Sequence, residues 1–537
     1  MARPPRYPTH REPDSPPPLP FVPGEVSNGE FVPSGATARD RAIVAGTLRR
    51  VADAADRLGV DRRRFLQSTG GMAAMLATVN LVGCADPDPV SAPTRSPTAT
   101  GATNTAGSGP SATPGGTYDV PSPEDVAACA GTLESQGELI IDVHTHHVMP
   151  DGPWRRTEPA IASMIRDVVP ANCTEADPLV CVDRRHYLSD IFLASDTGIT
   201  VLSDVPSSGG PDSPIPFADQ VGTYEFANEL TDGGTPRVLV QAIVAPNFYD
   251  PGRLFEEMAR QQATGAVATF KTYTAWGPAG PGGVRAGYAL DDPVVGLPWL
   301  ERAQALGVRV ICAHKGLPIQ GFDQRFNGPR DVVAAAVAFP DLQFVVFHSA
   351  FERATTEGPY DPARAERGTN SLLKALDDAG LPPNSNVWCE LGTTWREVMT
   401  NPTQAAHVVG KLLRRVGEDR VLWGTDAVWY GSPQPQIMAF RAFQITELFQ
   451  QQFGYPALTP DRKAKVFGRN AARLFGLDIE AVRCAIDGSK LGQARVAFRD
   501  LHAHGEIAEP WRARAPLTRR EVLTWLRTDR RATLNPF

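Results

Sequence analysis

Short apolar runs alternate with longer segments of helical periodicity from about Leu139 to residue 478. Such runs, bounded by polar or turn residues, are typical of buried strands, and their alternation with helices is typical of parallel α/β folds. We predict eight strands: Leu139–Val143, Ile199–Asp204, Val238–Ala245, Ala266–Tyr273, Val308–Ala313, Phe344–His348, Val387–Leu391 and Val421–Thr425. Eight strand–helix units predict an α/β fold of the (β/α)8, TIM-like barrel type.

The segments between the predicted strands have apolar residues at helical spacing. The helix candidates are Tyr187–Ser195, Arg253–Gln262, Leu300–Leu306, Asp331–Ala338, Ser371–Asp378 and Thr403–Val416. A last helix around 467–476 is expected to pack on the barrel, so we place the barrel domain at 136–478. Residues 479–537 form a short, polar, helical extension with one further helix candidate, Thr518–Thr528, and no functional interpretation.

The first predicted strand leads into Asp142-Val143-His144-Thr145-His146. Because successive side chains of a strand point to opposite faces, His144 and His146 point the same way. Neutral imidazole is a favoured ligand of zinc and related ions, so the pair predicts two ligands of one metal. Asp142 has the same phase and is expected to support the site from one layer below. His147 is out of phase and is expected to be structural or to support the ligands without binding the metal.

Other polar side chains follow later strands, at the end of a barrel where active sites lie. His314 and His348 end the fifth and sixth strands, and both are expected at the site. Asp426 follows the eighth strand, where a carboxylate can bind a metal and take a proton from its water. Lys271 and Glu390, at the ends of the fourth and seventh strands, are further pocket candidates. Aromatic residues in the adjoining loops are candidates for a pocket wall: Trp276, Trp395, Trp429 and Tyr430.

Composition and charge indicate a globular protein that does not bind nucleic acid. Hydrophobic residues make up 42% of the chain and charged residues 21%, as in a globular protein with a large core. Residues 1–83 contain 11 Arg and 8 acidic residues, a net charge of +3. Because the whole chain has a net charge of −7, residues 84–537 have a net charge of −10. An acidic body without a basic run argues against a nucleic-acid partner.

The seven cysteines show no Cys-x-x-Cys pair and no zinc-finger spacing. Cys312 and Cys389 fall inside predicted strands, where a cysteine is usually a small buried hydrophobe. Cys173 and Cys181 flank a short loop and are able to form a disulfide if the protein is exported.

The N-terminal region has the pattern of an export signal. Residues 1–37 are rich in Pro, Gly and Ser and are predicted to be disordered. Arg62 and Arg63 precede Phe-Leu and a mildly apolar stretch, which resembles a twin-arginine signal. The stretch closes with Leu-Val-Gly-Cys84, which resembles a bacterial lipobox, a pattern in which the cysteine is lipid-modified and becomes the first residue after cleavage.

These patterns predict a disordered segment and signal over 1–83 and a Ser/Thr/Pro/Gly-rich tether over 84–135. The protein is then extracytoplasmic and attached to the cell membrane through a lipid anchor at Cys84. No later run approaches 18 apolar residues, so no other segment is expected to span a bilayer.

Together, the ordered motifs resemble those of the amidohydrolase superfamily. They are His144-x-His146, His314, His348 and Gly424-Thr425-Asp426, closed by Asn470-Ala471-Ala472-Arg473-Leu474-Phe475. The most similar branch contains the relatives of aminocarboxymuconate semialdehyde decarboxylase. The resemblance implies one or two divalent ions, often zinc, with His144, His146, His314 and Asp426 as ligands. It also implies that His348 binds a second metal or polarises the substrate, and that Lys271 matches a lysine that some members carboxylate to bridge two metals.

Three functions remain open from the sequence. The leading hypothesis is a metal-dependent hydrolase, in which Asp426 orients a metal-activated water for attack on an amide, ester or lactone. The first alternative is non-oxidative decarboxylation of an aromatic or unsaturated carboxylic acid, because the most similar branch includes such enzymes. The second is a lipid-anchored metal- or ligand-binding protein without turnover, which would not need a poised base. The expected partner is a small molecule, and a homo-oligomer is also allowed.

Overall fold

A computed structural model describes residues 19–24, 36–83 and 114–503, apart from 168, 170–172, 174, 232–235, 281–284 and 320. Within these residues the strands are β1 Gly116–Tyr118, β2 Ile140–Thr145, β3 Thr197–Ser203, β4 Val238–Ile243, β5 Val267–Thr272, β6 Val310–His314, β7 Gln343–Phe347, β8 Val387–Glu390, β9 Val421–Leu422 and β10 Phe443–Ile445. Strands β2 to β9 form one parallel sheet in which neighbours in sequence are neighbours in space.

Backbone contacts between the first and last strands of this sheet close it into a barrel. The amide of Asp426 donates to the carbonyl of His144 at 2.8 Å, and the amide of Val143 donates to the carbonyl of Trp423 at 3.0 Å. The predicted (β/α)8 barrel is therefore confirmed, and each of its eight predicted strands overlaps an observed one.

Six of the eight barrel strands end earlier than predicted, and for two of them, β7 and β9, residues with positive φ angles follow. β7 stops at Phe347 because His348, Ser349 and Ala350 have φ angles of 58°, 51° and 58°. β9 stops at Leu422, and Asp426 beyond it has a φ of 59°. Non-glycine residues with positive φ are uncommon, and they cluster at functional sites. Each of these turns lies at the carboxyl end of the barrel and carries a predicted site residue.

Helices occupy most of the remaining described chain. They are α1 Ala38–Leu58, α2 Arg62–Leu66, α3 Thr69–Gly83, α4 Val126–Leu133, α5 Trp154–Thr157, α6 Pro159–Asp167, α7 Arg184–Leu188, α8 Phe217–Glu229, α9 Pro251–Gln262, α10 Gly296–Ala305, α11 Arg330–Ala338, α12 Thr369–Asp378, α13 Thr394–Val398, α14 Pro402–Leu412, α15 Gln434–Ala442, α16 Glu447–Phe453, α17 Pro460–Ala464, α18 Asn470–Phe475, α19 Ile479–Gly488 and α20 Lys490–Ala503. None of the helices in the described part of the chain is long and apolar enough to cross a bilayer.

The main apolar core lies between the strands and the helices around them. Ile311 of β6 and Val346 of β7 are fully buried in one cluster with Trp299 of α10 and Val332 of α11. Burying an apolar side chain of this size contributes about 1.5–3 kcal/mol. This packing fixes the barrel and, with it, the strand ends that carry the polar residues.

The N-terminal helices are packed on the barrel. α3, the apolar part of the predicted signal, contacts α1, α4 and α14, and its residues 72–76 are fully buried. Arg62 and Arg63 of α2 are exposed. Within the segment predicted to be disordered, residues 19–24 lie against the barrel and Phe21 is buried. Cys84, the predicted site of lipid attachment, lies outside the described residues.

Folded elements also occur inside the predicted tether and beyond the barrel. β1 pairs antiparallel with β10, and α4 packs on α3 and α15. The sequence Gly-Thr-Tyr of β1 has no apolar run, so its pattern does not indicate a strand. At the other end of the chain, Leu491 and Phe498 of α20 are buried with Phe192 near the start of β3. The predicted helix Thr518–Thr528 lies outside the described residues.

The structure joins Cys173 and Cys181 in a disulfide, in the long segment between β2 and α7. Leu179 and Val182 beside it are buried in an apolar cluster at the mouth of the barrel. The expected pairing is thus present. Cys312 and Cys389 are buried free thiols, as predicted.

Candidate metal centre

His144 and His146 lie at the end of β2, and both are buried beside Asp426. Nε2 of His146 is 3.3 Å and Nε2 of His144 is 3.5 Å from Oδ1 of Asp426. Nδ1 of His146 donates to the carbonyl of Ser203 at 2.7 Å. The proton is then on Nδ1, and Nε2 has the lone pair that a metal can accept. The structure therefore brings together three of the predicted ligands, namely His144, His146 and Asp426.

His348 and His314 reach the same place from the ends of β7 and β6. The ring centroid of His348 is 4.9 Å from that of His144 and 4.6 Å from that of His314. Nδ1 of His348 donates to the carbonyl of Gly392 at 2.8 Å, and Nε2 of His314 lies 3.2 Å from the carbonyl of Gly316. Nε2 of His348 and Nδ1 of His314 are buried and have no hydrogen-bond partner among the described residues.

These unpartnered nitrogens fit a divalent ion. A buried polar atom without a partner costs about 1–3 kcal/mol, and coordination would remove that cost. Imidazole and carboxylate are ligands that zinc and related ions accept. By this test His144, His146, His314 and Asp426 could hold the predicted ion. His348 is placed either to hold a second ion or to face a substrate.

Burial keeps the imidazoles of the centre neutral. It lowers the pKa values of His144 and His314 well below 6.5 and that of His348 to about 4. Burial alone would raise the pKa of Asp426, but its contacts with His146, His348 and Thr393 outweigh burial and hold that pKa below its usual range. Neutral imidazoles with an ionised carboxylate are the protonation states that metal binding requires.

Glu390 lies behind His144 rather than in an open pocket. Its Oε1 is 3.2 Å from Nδ1 of His144 and accepts the backbone amide of His348 at 2.5 Å. Burial raises the pKa of Glu390 to about 8. A carboxyl group bonded to the far nitrogen of a ligand histidine fixes how that histidine faces the metal. Glu390 is therefore placed to orient His144, a role that its position at a strand end did not indicate.

Two glycines make room for this contact. A Cβ at Gly424 would lie 2.2 Å from Oε2 of Glu390, and a Cβ at Gly392 would lie 2.7 Å from Nδ1 of His144. A side chain at either position would push Glu390 and His144 apart. The Gly-Thr-Asp pattern after β9 therefore joins a glycine that leaves room for Glu390 to a predicted metal ligand, a relation that the sequence alone does not indicate.

Thr393 is a further site residue, which the sequence pattern does not predict. Its Oγ1 donates to Oδ2 of Asp426 at 2.6 Å and lies 2.5 Å from the hydroxyl oxygen of Tyr430. Its φ of 55° marks a turn directly after β8. The only signal in the sequence is a hydroxyl-rich run, Gly392-Thr393-Thr394, after an apolar strand.

Asp142 ties the first strand of the barrel to the last. Its Oδ1 accepts the amides of His144 at 3.2 Å and Thr425 at 3.0 Å, and its Oδ2 accepts the hydroxyl of Thr425. Burial raises the pKa of Asp142 to about 7. It lies below the ligands, in the place predicted for a supporting residue.

Lys271 is fully buried at the end of β5, next to the centre. Its Nζ is 3.2 Å from Nε2 of His144 and 4.4 Å from the ring centroid of Phe347. The amine therefore reaches the nitrogen expected to bind the metal. Its carboxylation stays a prediction.

Aromatic side chains line the mouth above these residues. Trp429 stacks on His146 with ring centroids 6.0 Å apart, and Tyr273 lies 5.2 Å from His314. Trp276 and Phe322 belong to the same buried cluster. Nε1 of Trp429 is buried without a partner in the described residues, so an N–H donor is available beside the predicted metal ligands.

Two residues considered in the sequence lie away from the mouth. Trp395 packs on Phe440 at 5.1 Å and donates to the carbonyl of Gln436, so it belongs to the main core. Nε2 of His147 is 3.0 Å from the hydroxyl of Thr223 on α8, which agrees with a structural role.

Three solved structures illustrate what the chain is similar to. The 5-carboxyvanillate decarboxylase of Sphingomonas paucimobilis is 16% identical with a TM-score of 0.39, over 63% of this chain and 99% of that one. The Novosphingobium aromaticivorans enzyme of that name, complexed with manganese and 4-hydroxy-3-methoxy-5-nitrobenzoic acid, is 16% identical with a TM-score of 0.39, over 64% and 97%. An Amidohydrolase 2 protein of Bifidobacterium longum subsp. infantis is 16% identical with a TM-score of 0.29, over 64% and 100%.

None of the curated proteins matches the chain. A family model described as Amidohydrolase matches residues 141–477. That range contains the histidines at the ends of β2, β6 and β7 and the aspartate after β9, so the match covers the whole candidate centre. The chain belongs to the amidohydrolase family.

Proposed function

We propose that the protein is a metal-dependent lyase that removes CO2 from a small aromatic or unsaturated acid. The observation that carries this proposal is the mouth of the centre, where flat aromatic side chains stand directly beside the imidazoles. Aromatic walls suit a planar ring, and a few convergent polar groups fix its orientation. The N–H of Trp429 suits a hydroxyl or carboxylate oxygen of such a ring.

Decarboxylation breaks the bond between a carbon and its carboxylate. The electron pair stays on that carbon, CO2 leaves, and a proton takes its place. A bound divalent ion would anchor the substrate oxygens and offset the developing negative charge.

Asp426 is the residue best placed to carry the proton. Its Oδ1 faces the centre, while the Thr393 hydroxyl holds Oδ2. Because Asp426 is ionised, it first takes a proton from a substrate hydroxyl and then passes it to the carbon. Neutral His348 offers the lone pair of Nε2, which accepts a hydrogen bond from the substrate or binds a second ion.

Hydrolysis of a C–N or C–O bond is the second candidate, and the position of Lys271 favours it. Its buried Nζ lies within 3.2 Å of a ligand nitrogen, where a carboxylated lysine would bridge two ions. Two metals suit the activation of water for hydrolysis. Asp426 then takes the proton of the water and gives it to the leaving group, so both reactions make this residue the proton carrier.

A substrate panel separates the two reactions. The holoprotein is loaded with zinc or manganese and assayed for CO2 release from hydroxybenzoates and carboxyvanillate, and for hydrolysis of esters, lactones and amides. Release of CO2 without hydrolysis supports the proposal. Hydrolysis without CO2 release contradicts it in favour of the second candidate, and inactivity of the metal-loaded protein on both panels would favour a binding protein.

Metal content provides an independent test of the centre. His314→Ala should lose the bound ion, because it removes a ligand whose Nδ1 is buried without a partner among the described residues. His147→Gln is the matched control, since His147 is equally buried but bonded to Thr223. Elemental analysis should give one or two ions per chain in this control. Full metal content in His314→Ala would exclude His314 as a ligand.

We also propose that the protein is exported by the twin-arginine route and anchored through Cys84. The paired Arg62 and Arg63, the lipobox and the disulfide support this location, because disulfides persist in oxidising compartments. Labelling with a fatty acid should mark the processed protein, and Cys84→Ser should abolish the label. A label that survives this substitution would contradict anchoring at Cys84.

A further inference from the structure

The described N-terminal residues form one structural unit, which we call the cap: residues 19–24, α1, α2 and α3. α3 lies between α1 and the barrel, and its residues 72–76 and Val79 are fully buried. A helix that is apolar all round must be covered on all sides. α1 and α2 of the cap supply part of that cover, and β1, α4 and α14 supply the rest.

Polar contacts join the cap to β1 and to the turn before α14. The side chain of Asn80 donates to the carbonyl of Tyr118 and accepts its amide, each at 2.8 Å. Arg39 of α1 donates to the carbonyl of Thr400 at 2.8 Å, just before α14. The cap is therefore specifically docked.

The first part of the cap lies on the catalytic face of the barrel. Arg396 of α13, which follows β8, donates to the carbonyls of Val22 at 2.5 Å and Gly24 at 3.5 Å. Its guanidinium carbon is 5.8 Å from the ring centroid of Phe21. Arg396 is only 3% exposed and Phe21 only 6% exposed, so residues 19–24 cover this guanidinium.

A short chain of contacts leads from Arg396 to the candidate metal centre. The guanidinium carbon is 6.0 Å from the ring centroid of Tyr430. The Tyr430 hydroxyl is 2.5 Å from that of Thr393, which donates to Asp426 at 2.6 Å. The covered arginine is thus three contacts away from a predicted metal ligand.

The hydrogen bonds of Arg396 explain what the cap does to it. A guanidinium is rarely buried unless its donors find partners, and here two backbone carbonyls of the cap accept hydrogen bonds from it. Without residues 19–24, the donors need water or an anion in their place. A planar guanidinium binds a carboxylate better than it binds a single carbonyl.

We propose that the cap is a removable mask, and that Arg396, once uncovered, binds the anionic group of the substrate at the barrel mouth. The second part rests on the proposed function, which supplies an acidic substrate. Release follows hydrolysis of the Gly83–Cys84 peptide bond by an external endopeptidase, with one water consumed.

An anionic membrane surface receives the released cap. Arg62, Arg63 and Arg64 are exposed at the start of α2, next to the apolar helix α3. Basic residues adjoining an apolar helix bind anionic headgroups while the helix enters the lipid boundary.

The test uses full-length holoprotein with a site-specific protease sequence in place of residues 93–99. After cleavage, the protein is mixed with vesicles of phosphatidylglycerol and phosphatidylethanolamine and separated by flotation. The cap fragment should float with the vesicles while the barrel stays in solution. A fragment that remains with the barrel would overturn the removable cap.

Arginine labelling by phenylglyoxal tests the masked residue without an activity assay. Arg396 should be labelled at least 10-fold faster after release of the cap, and benzoate should slow that labelling. Exposed Arg325 should react in both forms, whereas buried Arg441, which pairs with Glu138 and Asp196, should react in neither. Labelling that benzoate does not slow would overturn the anion site, even if the enzyme releases CO2.

A variant that needs no cleavage makes the same point. Phe21→Ser should loosen residues 19–24 in the intact chain and raise Arg396 labelling several-fold. Unchanged labelling in this variant, with the fold intact, would contradict masking by the cap. An enzyme that is inactive on every substrate but shows the labelling changes would refute only the proposed function.

Discussion

The two ends of the barrel differ in whether their buried polar groups have partners. At the amino-terminal end, the carboxylate of Asp196 has one oxygen 2.6 Å from Arg441 and the other 2.6 Å from Arg499. At the carboxyl end, His314 and His348 each keep one buried ring nitrogen that has no partner among the described residues. The difference indicates what each end contributes.

Paired buried charges stabilise a fold only as long as both partners are present. Unpaired buried lone pairs weaken a fold until something else binds them. The amino-terminal end therefore holds the barrel to its C-terminal helices, whereas the carboxyl end is built for a ligand. Substitutions at the two ends should accordingly change different measurable quantities.

Asp426→Asn should have the largest effect, on turnover of the metal-loaded protein rather than on its stability. The amide can still accept the Thr393 hydroxyl, but it cannot take up and release a proton. We expect about a 10²–10⁴-fold loss of turnover on whichever panel the enzyme accepts. Steady-state kinetics measure it, with circular dichroism to show an intact fold. The matched control is Asp190→Asn, a buried acid at the amino-terminal end, which should keep full turnover.

Asp196→Asn should have the reverse effect, on stability alone. It removes one of the two carboxylate partners of the nearly buried Arg441, the other being Glu138, so the free energy of unfolding should fall by up to about 3–5 kcal/mol. Denaturant unfolding measures the loss, and turnover per folded molecule should stay unchanged. Glu418→Gln, at a half-exposed cluster with Lys465, should cost about 1 kcal/mol or less. Equal losses in the two variants would remove the distinction between the ends.

Glu390→Gln should reduce metal affinity by about 10–100-fold, because it weakens the group that orients His144. Competition with a chromogenic chelator measures the change. Asp196→Asn is the control, and its metal affinity should equal that of the unmodified protein. Unchanged affinity in Glu390→Gln would show that the contact with His144 is only structural.

Trp429→Phe should have the smallest effect. It keeps the aromatic wall and removes one N–H donor, which is worth about 0.5–1.5 kcal/mol, or about a 2–12-fold rise in KM. Trp395→Phe removes an indole N–H from the core, so it should lower stability and leave KM unchanged. If the two variants had the same KM, Trp429 would not contact the substrate.

The sequence predicts the barrel well because each strand is a separate apolar run bounded by polar or turn residues. β5 and β8 lie within one residue of their predicted limits at each end. Prediction fails where the backbone leaves the extended region, as at Asp426, since apolar periodicity carries no information about a positive φ. It also fails for β1, whose pairing with β10 joins residues more than 300 positions apart.

The site was only partly predictable for a related reason. His144 and His146 stand out because their spacing matches the two-residue period of a strand. The role of Glu390 depends on an approach across the barrel to His144, which requires the missing side chains of Gly392 and Gly424. Neither glycine has chemistry of its own, so a search for reactive residues passes over both.

The contacts between β2 and the residues after β9 join parts of the candidate centre that are synthesised at very different times. Asp142 and His144 leave the ribosome almost 300 residues before Thr425 and Asp426, to which they are bonded in the finished barrel. A nascent chain lacking its eighth strand has neither the closing contacts nor the carboxylate ligand. We therefore expect full metal binding only in completed chains, and a product truncated before Thr425 should fail to retain metal.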